Sequence, residues 1–426
     1  MSRLIRYIWE KRLLKGAELH TQSGSPLRIL DFGNCNEEGN VSYNAKIEVD
    51  GVTWAGSVIL GNDKEAEATE LNTILQVLLE DNSNERYTTG DIIHRLCLNM
   101  PPMLIKEFTE VIEQHTSRFQ CAEAVLQTSS TNIQGILSRM LVEKLDEKAA
   151  IIEKIYSACN KNWEETLFKT FIHSFGFGIQ SKEFEEYANI LDMQALGKHR
   201  DNLLQIEAVF FGQAGLLESE SIPHYYRDNA MSNSYYMELV REYRFLTTKF
   251  GLKSIGHETW NSGRITPHLR IARLAAIYHS QKFSLANIAS CATTKELHDI
   301  ICTCTQGYWY NHSCFGGTEN YGNDRLKPRQ ADVLIINAIA PVLYVYGKHR
   351  SDSRLCERAE ELLYSLKPED NSIIKRWREQ GFEPQCAADT QALLQIWRRY
   401  CQANNCAECP LAFYHIQERL GAVIDR

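Results

Sequence analysis

The sequence predicts an α+β protein in which a small mixed sheet domain is followed by a large α-helical domain. Alternating apolar residues and turn signals between positions 26 and 80 indicate strands. From about residue 131 onward, apolar residues recur at the three- and four-residue spacing of helices. The 426 residues allow about two or three domains, and we place the boundaries at 1–125 and 126–426.

The composition is that of an ordinary folded protein. Hydrophobic residues make up 44% of the chain and charged residues 23%, which excludes wholesale disorder. The net charge is −8, so the chain lacks the broad basic footprint of a protein that binds duplex nucleic acid. We therefore expect nucleic acid to be a disfavoured partner.

The N-terminus predicts an amphipathic helix rather than a secretory signal, because charged residues such as Arg6 and Glu10 interrupt its apolar residues. The longest apolar stretch, 333–346, is too short to span a bilayer and is predicted to be a buried helix. The odd count of 13 cysteines argues against a disulfide framework. These observations predict a cytoplasmic protein with no membrane contact.

The strand signals follow one another closely. Residues 27–30 form a short apolar run, and residues 45–49 alternate with period two. Asp50-Gly51 is a strong hairpin turn, after which residues 52–60 form the returning strand. Residues 74–79 are mostly apolar and suit either a central strand or a buried helix, since periodicity does not separate the two.

The helical region begins with one long amphipathic pattern. Its apolar stripe consists of Ile133, Ile136, Leu137, Met140, Leu141, Leu145, Ile152, Ile155 and Tyr156. Further helices are predicted near 163–175, 182–192, 200–217, 235–249, 267–280, 330–346, 354–366 and 386–402.

Several short stretches together resemble an uncharacterised bacterial family of the domain-of-unknown-function type, typical of Bacteroidota. The resemblance covers nearly the whole chain. The stretches that carry it are Tyr7-Ile8-Trp9, 44–47, 54–56, 175–178, 205–217, Arg270-Ile271-Ala272, Tyr308-Trp309, 335–337, Tyr346-Gly347, 391–393 and Tyr400-Cys401.

The resemblance implies a metal-dependent nuclease pattern in the strand region, Pro-Asp followed by Glu-x-His, whose acidic groups would hold Mg²⁺. At those positions, and at a later family His, this chain has Asn40, Val41, Ile59, Leu60 and Gln76. The following Asp/His segment is shortened to residues 61–65. We therefore expect a restriction-endonuclease-like sheet at best, with its site lost. Alternatively, the family residues never formed a catalytic site. In both cases Val41, Ile59 and Leu60 are predicted to be strand residues that contribute to a core.

Three cysteines near the end of the chain have a spacing typical of metal ligands. Cys401, Cys406 and Cys409 form a C-x₄-C-x₂-C pattern, which suits zinc or an iron–sulfur cluster. The candidates for a fourth ligand are Cys386 and His415. The alternative is a coincidental group of thiols in a cysteine-rich chain.

Glu207 is a carboxylate inside an apolar helical segment. We expect a structural role in which Arg270 or Arg273 pairs with it, because buried charges are normally paired. Gly212 and Gly215 would allow a neighbouring helix to approach closely. The functional alternative is a carboxylate with a shifted pKa in a cleft.

An aromatic group at Tyr308, Trp309, Tyr310 and Phe315, with His312 between them, can stack on a base or a sugar, or can pack in the core. Core packing is the interpretation we favour. The sequence contains no phosphate-binding glycine loop, no Gly-x-Ser-x-Gly elbow and no His-Glu-x-x-His helix.

These patterns lead to two main hypotheses and assign no catalytic residue. The first is a non-catalytic cytoplasmic interaction or scaffold protein that binds a protein partner or another copy of itself. The second is a nucleic-acid-processing or metal-binding enzyme whose site lies in the helical domain, with Glu207, His312 or the cysteines. A single-strand nucleic-acid binder that uses the aromatic group is a third hypothesis.

Overall fold

The structure, a computed structural model, describes residues 2–36, 39–61, 72–80, 94–113, 130–262, 267–317 and 325–424. After one N-terminal helix, the chain forms a mixed sheet and then a mostly helical region, which confirms the α+β prediction.

The chain divides into two compact units. Unit 1 comprises residues 1–140, 370–383 and 392–426, and unit 2 comprises residues 141–369 and 384–391. The C-terminal segment thus belongs with the sheet, whereas the sequence analysis placed it with the helical remainder.

The sheet of unit 1 has strands β1 (Leu19–His20), β2 (Pro26–Asp31), β3 (Asn34–Cys35), β4 (Val41–Val49), β5 (Val52–Leu60), β6 (Thr73–Leu78) and β7 (His94–Cys97). Their order is β1-β2-β4-β5-β6-β7, and β3 pairs with β4. Pairing is antiparallel from β1 to β5 and parallel from β5 to β7.

The predicted hairpin between β4 and β5 is confirmed. Asp50 and Gly51 both have positive φ, 49° and 78°, the backbone that a two-residue hairpin turn requires. Val49 pairs with Val52 across the turn. The ambiguous run at 74–79 contains β6, all of whose residues are buried, so its apolar character reflects a strand with neighbours on both edges.

The helices, in chain order, are α1 (Ser2–Glu10), α2 (Pro102–Glu113), α3 (Ser130–Ala158), α4 (Trp163–Ser174), α5 (Ser181–Ile190), α6 (Met193–Gly197), α7 (Leu203–Gln213), α8 (His224–Met231), α9 (Ser234–Phe250), α10 (His268–His279), α11 (Leu285–Ser290), α12 (Thr294–Ile301), α13 (Pro328–Leu334), α14 (Ala340–Arg350), α15 (Ser353–Ser365), α16 (Ser372–Glu379), α17 (Ala387–Ile396) and α18 (Pro410–Ile424). Five-residue π turns occupy Ile335–Ile339 and Trp397–Cys401.

Helices α1, α2 and α18 belong to unit 1. The predicted N-terminal amphipathic helix is confirmed as α1, and Trp9 is buried with its Nε1 donating to the carbonyl oxygen of Phe32 at 2.8 Å. Helix α18 packs against α2, where Nε2 of His415 lies 2.9 Å from Oε1 of Glu107. This contact is one reason why the C-terminal segment belongs to unit 1.

The helical stretch 328–350, which contains the first π turn, is the one helix in the described residues that is long and apolar enough to cross a membrane. Its most apolar window is 72% buried inside the protein.

Candidate functional site

The strands that carry the implied nuclease positions lie side by side in the sheet. Cα partners join Val41 to Ile59 across β4 and β5, and Ile59 to Gln76 across β5 and β6. Directly opposite residues on neighbouring strands point to the same face and lie roughly 5 Å apart. Positions 41, 59 and 76 therefore form one row across the sheet, which we call the strand row.

The strand row contains no carboxylate and no imidazole. Val41, Ile59 and the adjacent Leu60 are buried, which confirms that they contribute to a core. Gln76 is also buried, and its Nε2 donates to the carbonyl oxygen of Gly61 at 3.1 Å. Residues 62–65 of the shortened segment lie outside the described residues.

The cysteines at the end of the chain belong to unit 1. Cys401 ends the second π turn, and Cys406 begins a short 3₁₀ turn. The backbone N–H of Cys409 donates to the carbonyl oxygen of Cys406 at 3.0 Å. Backbone N–H groups in the first turn of α18 favour the Cys409 thiolate, but burial dominates and raises the pKa of Cys409 to about 11.

Within the described residues, no group of three or more His, Cys, Asp or Glu side chains is placed to hold a metal ion. His415 is engaged with Glu107, and Cys386 belongs to unit 2. Zinc and iron–sulfur clusters need thiolates, so binding would have to remove protons from buried thiols. The site at Cys401, Cys406 and Cys409 stays a prediction, which elemental analysis and a visible absorption spectrum of purified protein test.

In unit 2, Glu207 is a carboxyl group that is only 5% exposed within the apolar helix α7. Asn202 caps this helix, its Oδ1 accepting from the backbone N–H of Gln205 at 3.2 Å. The hydroxyl of Tyr235 donates to Oε2 of Glu207 at 2.8 Å, and Nε1 of Trp309 donates to the same hydroxyl at 2.8 Å. We call these three residues the carboxyl chain.

Burial raises the pKa of Glu207 to about 7, while the hydrogen bond from Tyr235 lowers it. Burial and the nearby Glu207 carboxylate raise the pKa of Tyr235. The phenol therefore remains a proton donor to Glu207 at neutral pH. A carboxyl group that titrates near pH 7 is typical of acid–base sites, and closed structural networks can also produce one.

The predicted arginine partner of Glu207 is wrong. Nη1 of Arg270 lies 3.1 Å from Oε1 of Gln180, and its guanidinium lies over the ring of Phe177, 5.4 Å from the centroid. Arg273 is buried in α10, and no arginine is among the described partners of Glu207. Helix α7 packs against both α9 and α10, and the carboxyl group meets a residue of α9.

The close approach predicted for Gly212 is confirmed. A Cβ on this residue would lie 2.1 Å from Cδ2 of Tyr243 on α9. The absence of a side chain therefore lets α9 lie against α7, and Tyr235 occupies the first turn of that same helix.

Other rings of unit 2 cover the faces of Tyr308 and Trp309 in the aromatic group, whereas Tyr310 is 59% exposed. Phe211 stacks on Trp309 with ring centroids 4.8 Å apart, and Tyr235 stacks on Tyr308 at 5.0 Å. His312 stacks on Tyr308 at 3.9 Å. This arrangement supports core packing over a platform for bases or sugars, and it brings the aromatic group and Glu207 into one assembly.

The sequence analysis did not single out His268, which also lies in this assembly. It is 1% exposed, and neither ring nitrogen has a hydrogen-bond partner among the described residues. Burial lowers its pKa to about 4, so the ring is neutral at physiological pH. Its ring meets that of Phe315 edge to face, with centroids 5.4 Å apart.

Sequence reasoning also missed Lys148, whose ammonium group meets three acceptors in unit 2. Its Nζ lies 3.1 Å from the carbonyl oxygen of Ile336, 3.1 Å from Oδ1 of Asn337 and 3.0 Å from Oε1 of Gln391. An ammonium group has three donors, so this set satisfies it fully. Burial lowers the pKa of Lys148 to about 7, against the opposing effect of Glu369. We call this group the lysine network.

The lysine network contacts the first π turn. A π turn leaves backbone carbonyl groups without the usual partner four residues ahead. Nδ2 of Asn337 donates to the carbonyl oxygen of Val333 at 3.0 Å, and Lys148 donates to that of Ile336. Gln391 is held in turn by Glu369, whose Oε2 accepts from its Nε2. Side chains thus donate hydrogen bonds to two backbone carbonyl groups at the π turn.

A sequence signal for Lys148 exists. It lies three residues after Leu145 and four before Ile152, both members of the predicted apolar stripe, so helical geometry turns it toward the buried face of α3. A lysine at such a position requires an acceptor group.

Comparison with curated proteins and with solved structures finds no match. A family model described as "Protein of unknown function (DUF2851)" matches residues 2–372, a span that includes the whole sheet, the carboxyl chain and most of unit 2. The chain belongs to this family.

Proposed function

We propose that the protein is a non-catalytic interaction protein of the bacterial cytoplasm, of Bacteroidota type. In this proposal its sheet descends from a metal-dependent nuclease of the restriction-endonuclease kind and has lost the chemistry. The protein binds a partner protein or a second copy of itself.

The strand row is the observation that carries this proposal. If positions 41, 59 and 76 held the acidic and His residues that the resemblance implies, three neighbouring strands would bring them together around one cation. This chain has Val41, Ile59 and Gln76 there, all buried. Aliphatic side chains neither bind Mg²⁺ nor transfer a proton.

The cysteines support a reducing compartment. The described cysteines are free thiols, and burial raises the pKa of several of them, including Cys314 and Cys409. Thiols of this kind persist where glutathione and thioredoxin keep them reduced.

A nuclease assay tests the loss of chemistry. Purified protein is incubated with single- and double-stranded DNA and RNA in Mg²⁺ or Mn²⁺, and EDTA provides the control. We expect no cleavage above that of a mock purification. Metal-dependent cleavage that survives a second, orthogonal purification would overturn the proposal.

Exposed apolar side chains support an interaction role. Tyr225 and Met231 on α8, with Met237 and Phe245 on α9, are exposed although they are large and apolar. We expect sedimentation velocity to show reversible self-association as protein concentration rises, and the Tyr225→Ser/Phe245→Ser double variant to reduce it. If the protein is a monomer at every concentration, self-association is excluded, and the proposed partner is then a different protein.

The second candidate is an enzyme in unit 2, and the carboxyl chain favours it because Glu207 titrates near neutral pH. The test is a panel of hydrolase and lyase substrates assayed at several pH values. Any activity must disappear in Glu207→Gln and persist in Glu238→Gln, an exposed carboxylate of α9. An activity that both variants retain would exclude Glu207 as its acid or base.

A further inference from the structure

A cleft of about 300 Å³ lies in unit 2, apart from the strand row, the carboxyl chain and the lysine network. Phe168, Tyr278 and Phe283 contribute an aromatic wall. The ring centroids of Tyr278 and Phe283 lie 5.2 and 5.8 Å from that of Phe168. Apolar walls with a few polar groups are typical of small-molecule sites. We call this feature the α4 cleft.

The carboxylates of the α4 cleft are already engaged. Glu164 accepts hydrogen bonds from the backbone N–H of Leu285 at 3.0 and 3.1 Å. Oε1 of Glu165 lies 3.1 Å from Nζ of Lys169. Both carboxylates therefore have donors that do not come from a ligand.

The positively charged side chain of the α4 cleft, Arg200, has no such partner of opposite charge among the described residues. Arg200 forms no ion pair with any described carboxylate, and it lies close enough to Tyr278 to lower the pKa of that phenol against the effect of burial. The buried hydroxyl oxygen of Tyr278 has no hydrogen bond of good geometry in the described part of the chain. An exposed guanidinium is thus available in the cleft, beside a phenol whose hydroxyl oxygen is buried.

The rim carries further polar groups. The side-chain amides of Asn160 and Gln194 line the cleft and make no described hydrogen bonds. Asn160 and Lys161 have consecutive positive φ values of 51° and 63°. Left-handed residues commonly end a helix, and here they follow the C-terminus of α3, where the backbone N–H of Lys161 donates to the carbonyl oxygen of Tyr156 at 2.9 Å.

We propose that the α4 cleft binds a small organic anion carried on a flat ring. The partly exposed ring of Phe283, supported from behind by the buried ring of Phe168, packs against the ring of the ligand. Arg200, which lies beside the buried hydroxyl of Tyr278, binds the anionic group. The amides of Asn160 and Gln194 bind polar atoms on the edge of the ring. This assignment does not depend on the sheet or on whether the protein is an enzyme.

Calorimetry with two matched pairs of probes tests the proposal on the full chain. The first pair is AMP and adenosine, and the second is indole-3-carboxylate and indole-3-carboxamide. We expect at least one anion to bind roughly tenfold or more tightly than its neutral counterpart. Preference for AMP assigns a phosphate ligand, whereas preference for the indole acid assigns a carboxylate ligand. Equal or absent binding within both pairs overturns the proposal.

Two variants assign the binding to the cleft. Arg200→Ala removes an exposed side chain, so the fold is retained, and we expect it to weaken the preferred anion roughly tenfold while leaving the neutral probe unchanged. Tyr278→Phe should have a smaller effect in the same direction. Arg354→Ala, an exposed arginine of α15 outside the cleft, is the control. Equal losses in Arg200→Ala and Arg354→Ala would show binding by net charge alone and overturn the assignment.

Discussion

The strand row of unit 1 and the polar networks of unit 2 show two opposite ways to fill a buried position. In the sheet, three aligned positions hold Val41, Ile59 and Gln76, and two of them are aliphatic. In unit 2, the interior keeps the ionisable groups of Glu207 and Lys148, each supplied with hydrogen-bond partners.

The difference shows at which buried positions the stability of the fold depends on the partners of an ionisable side chain. A buried polar group costs several kcal/mol unless it is hydrogen-bonded. The strand row has no ionisable group, and its one polar side chain, Gln76, donates a hydrogen bond to the carbonyl oxygen of Gly61. The networks of unit 2 avoid the cost of burial through specific hydrogen-bond partners. Removing one member therefore leaves another buried polar group without its partner and lowers the free energy of unfolding. The predictions that follow test this contrast in order of decreasing effect.

A carboxylate in the strand row should be the most damaging change. Ile59→Glu places an ionisable group at a 1% exposed position without a partner, and we expect a loss of about 4 kcal/mol in the free energy of unfolding. Val52→Glu, on the same strand but 54% exposed, is the control and should change stability little. Urea denaturation at neutral pH measures both. If Ile59→Glu were as stable as the control, the strand row would tolerate a buried carboxylate, and the contrast with unit 2 would be wrong.

Removal of Lys148 should lower the free energy of unfolding almost as much. Lys148→Met leaves the acceptors at Ile336, Asn337 and Gln391 without their donor, and we expect a loss of about 2 to 3 kcal/mol at pH 6. Lys154→Met, an exposed lysine of the same helix, provides the control. Hydrogen exchange at the first π turn should accelerate in Lys148→Met only; an equal change in both variants would contradict the role of the network.

Lys148 also predicts a pH dependence. Its pKa is about 7 in the folded protein and near its usual 10.5 when unfolded, so between these values the unfolded chain binds more protons. The free energy of unfolding of the native protein should therefore rise from pH 7 toward pH 10 relative to that of Lys148→Met. Parallel curves for the two proteins, measured by urea denaturation, would argue against a buried lysine.

Disrupting the carboxyl chain should lower the free energy of unfolding by less than removing Lys148. Tyr235→Phe removes one hydroxyl and leaves Oε2 of Glu207 and Nε1 of Trp309 without their partner. We expect a loss of about 1 to 2 kcal/mol. Tyr225→Phe, at an exposed hydroxyl, should have no measurable effect. Chemical denaturation and tryptophan fluorescence record the change, and no difference between the variants would mean that water replaces the phenol.

The smallest effect should come from Glu207→Gln, and it is a change in how the free energy of unfolding depends on pH. The pKa of Glu207 is raised from 4.5 to about 7 in the folded protein, so its contribution is complete below pH 4.5 and is lost as pH rises through 7. His268, whose pKa is lowered to about 4, acts in the opposite direction below pH 6.5. We expect Glu207→Gln to gain about 1 kcal/mol relative to the native protein between pH 6 and 7, whereas Glu238→Gln should follow the native curve.

Local patterns predicted much of the fold correctly because they are local in origin. Asp50-Gly51 specifies a hairpin through its own backbone preferences, and the stripe from Ile133 to Tyr156 specifies one face of a helix. The run at 74–79 remained ambiguous, because continuous burial looks the same in a strand and in a helix. Its parallel pairing with β5 and β7 decided that it is a strand.

Partners of buried groups were predicted less well. Glu207 was recognised as a buried carboxyl group, but its partner is Tyr235 and not an arginine. Both α9 and α10 pack on α7, and nothing in the sequence shows which of them faces the carboxyl group. Lys148 lay on a recognisable stripe, yet its acceptors lie nearly 190 to 240 residues away along the chain.

The sequence by itself determined the α+β class, the hairpin, the long amphipathic helix and the absence of acidic residues at positions 41, 59 and 60, because each depends on residue types and on spacing within one segment. Only the tertiary structure decided that positions 41, 59 and 76 form one row and that the C-terminal segment belongs with the sheet. It also decided which residues bind the two buried ionisable groups, Tyr235 for Glu207 and Gln391 among the acceptors of Lys148. These features depend on contacts between distant segments, and the free energy of such contacts comes from packing that no single segment encodes.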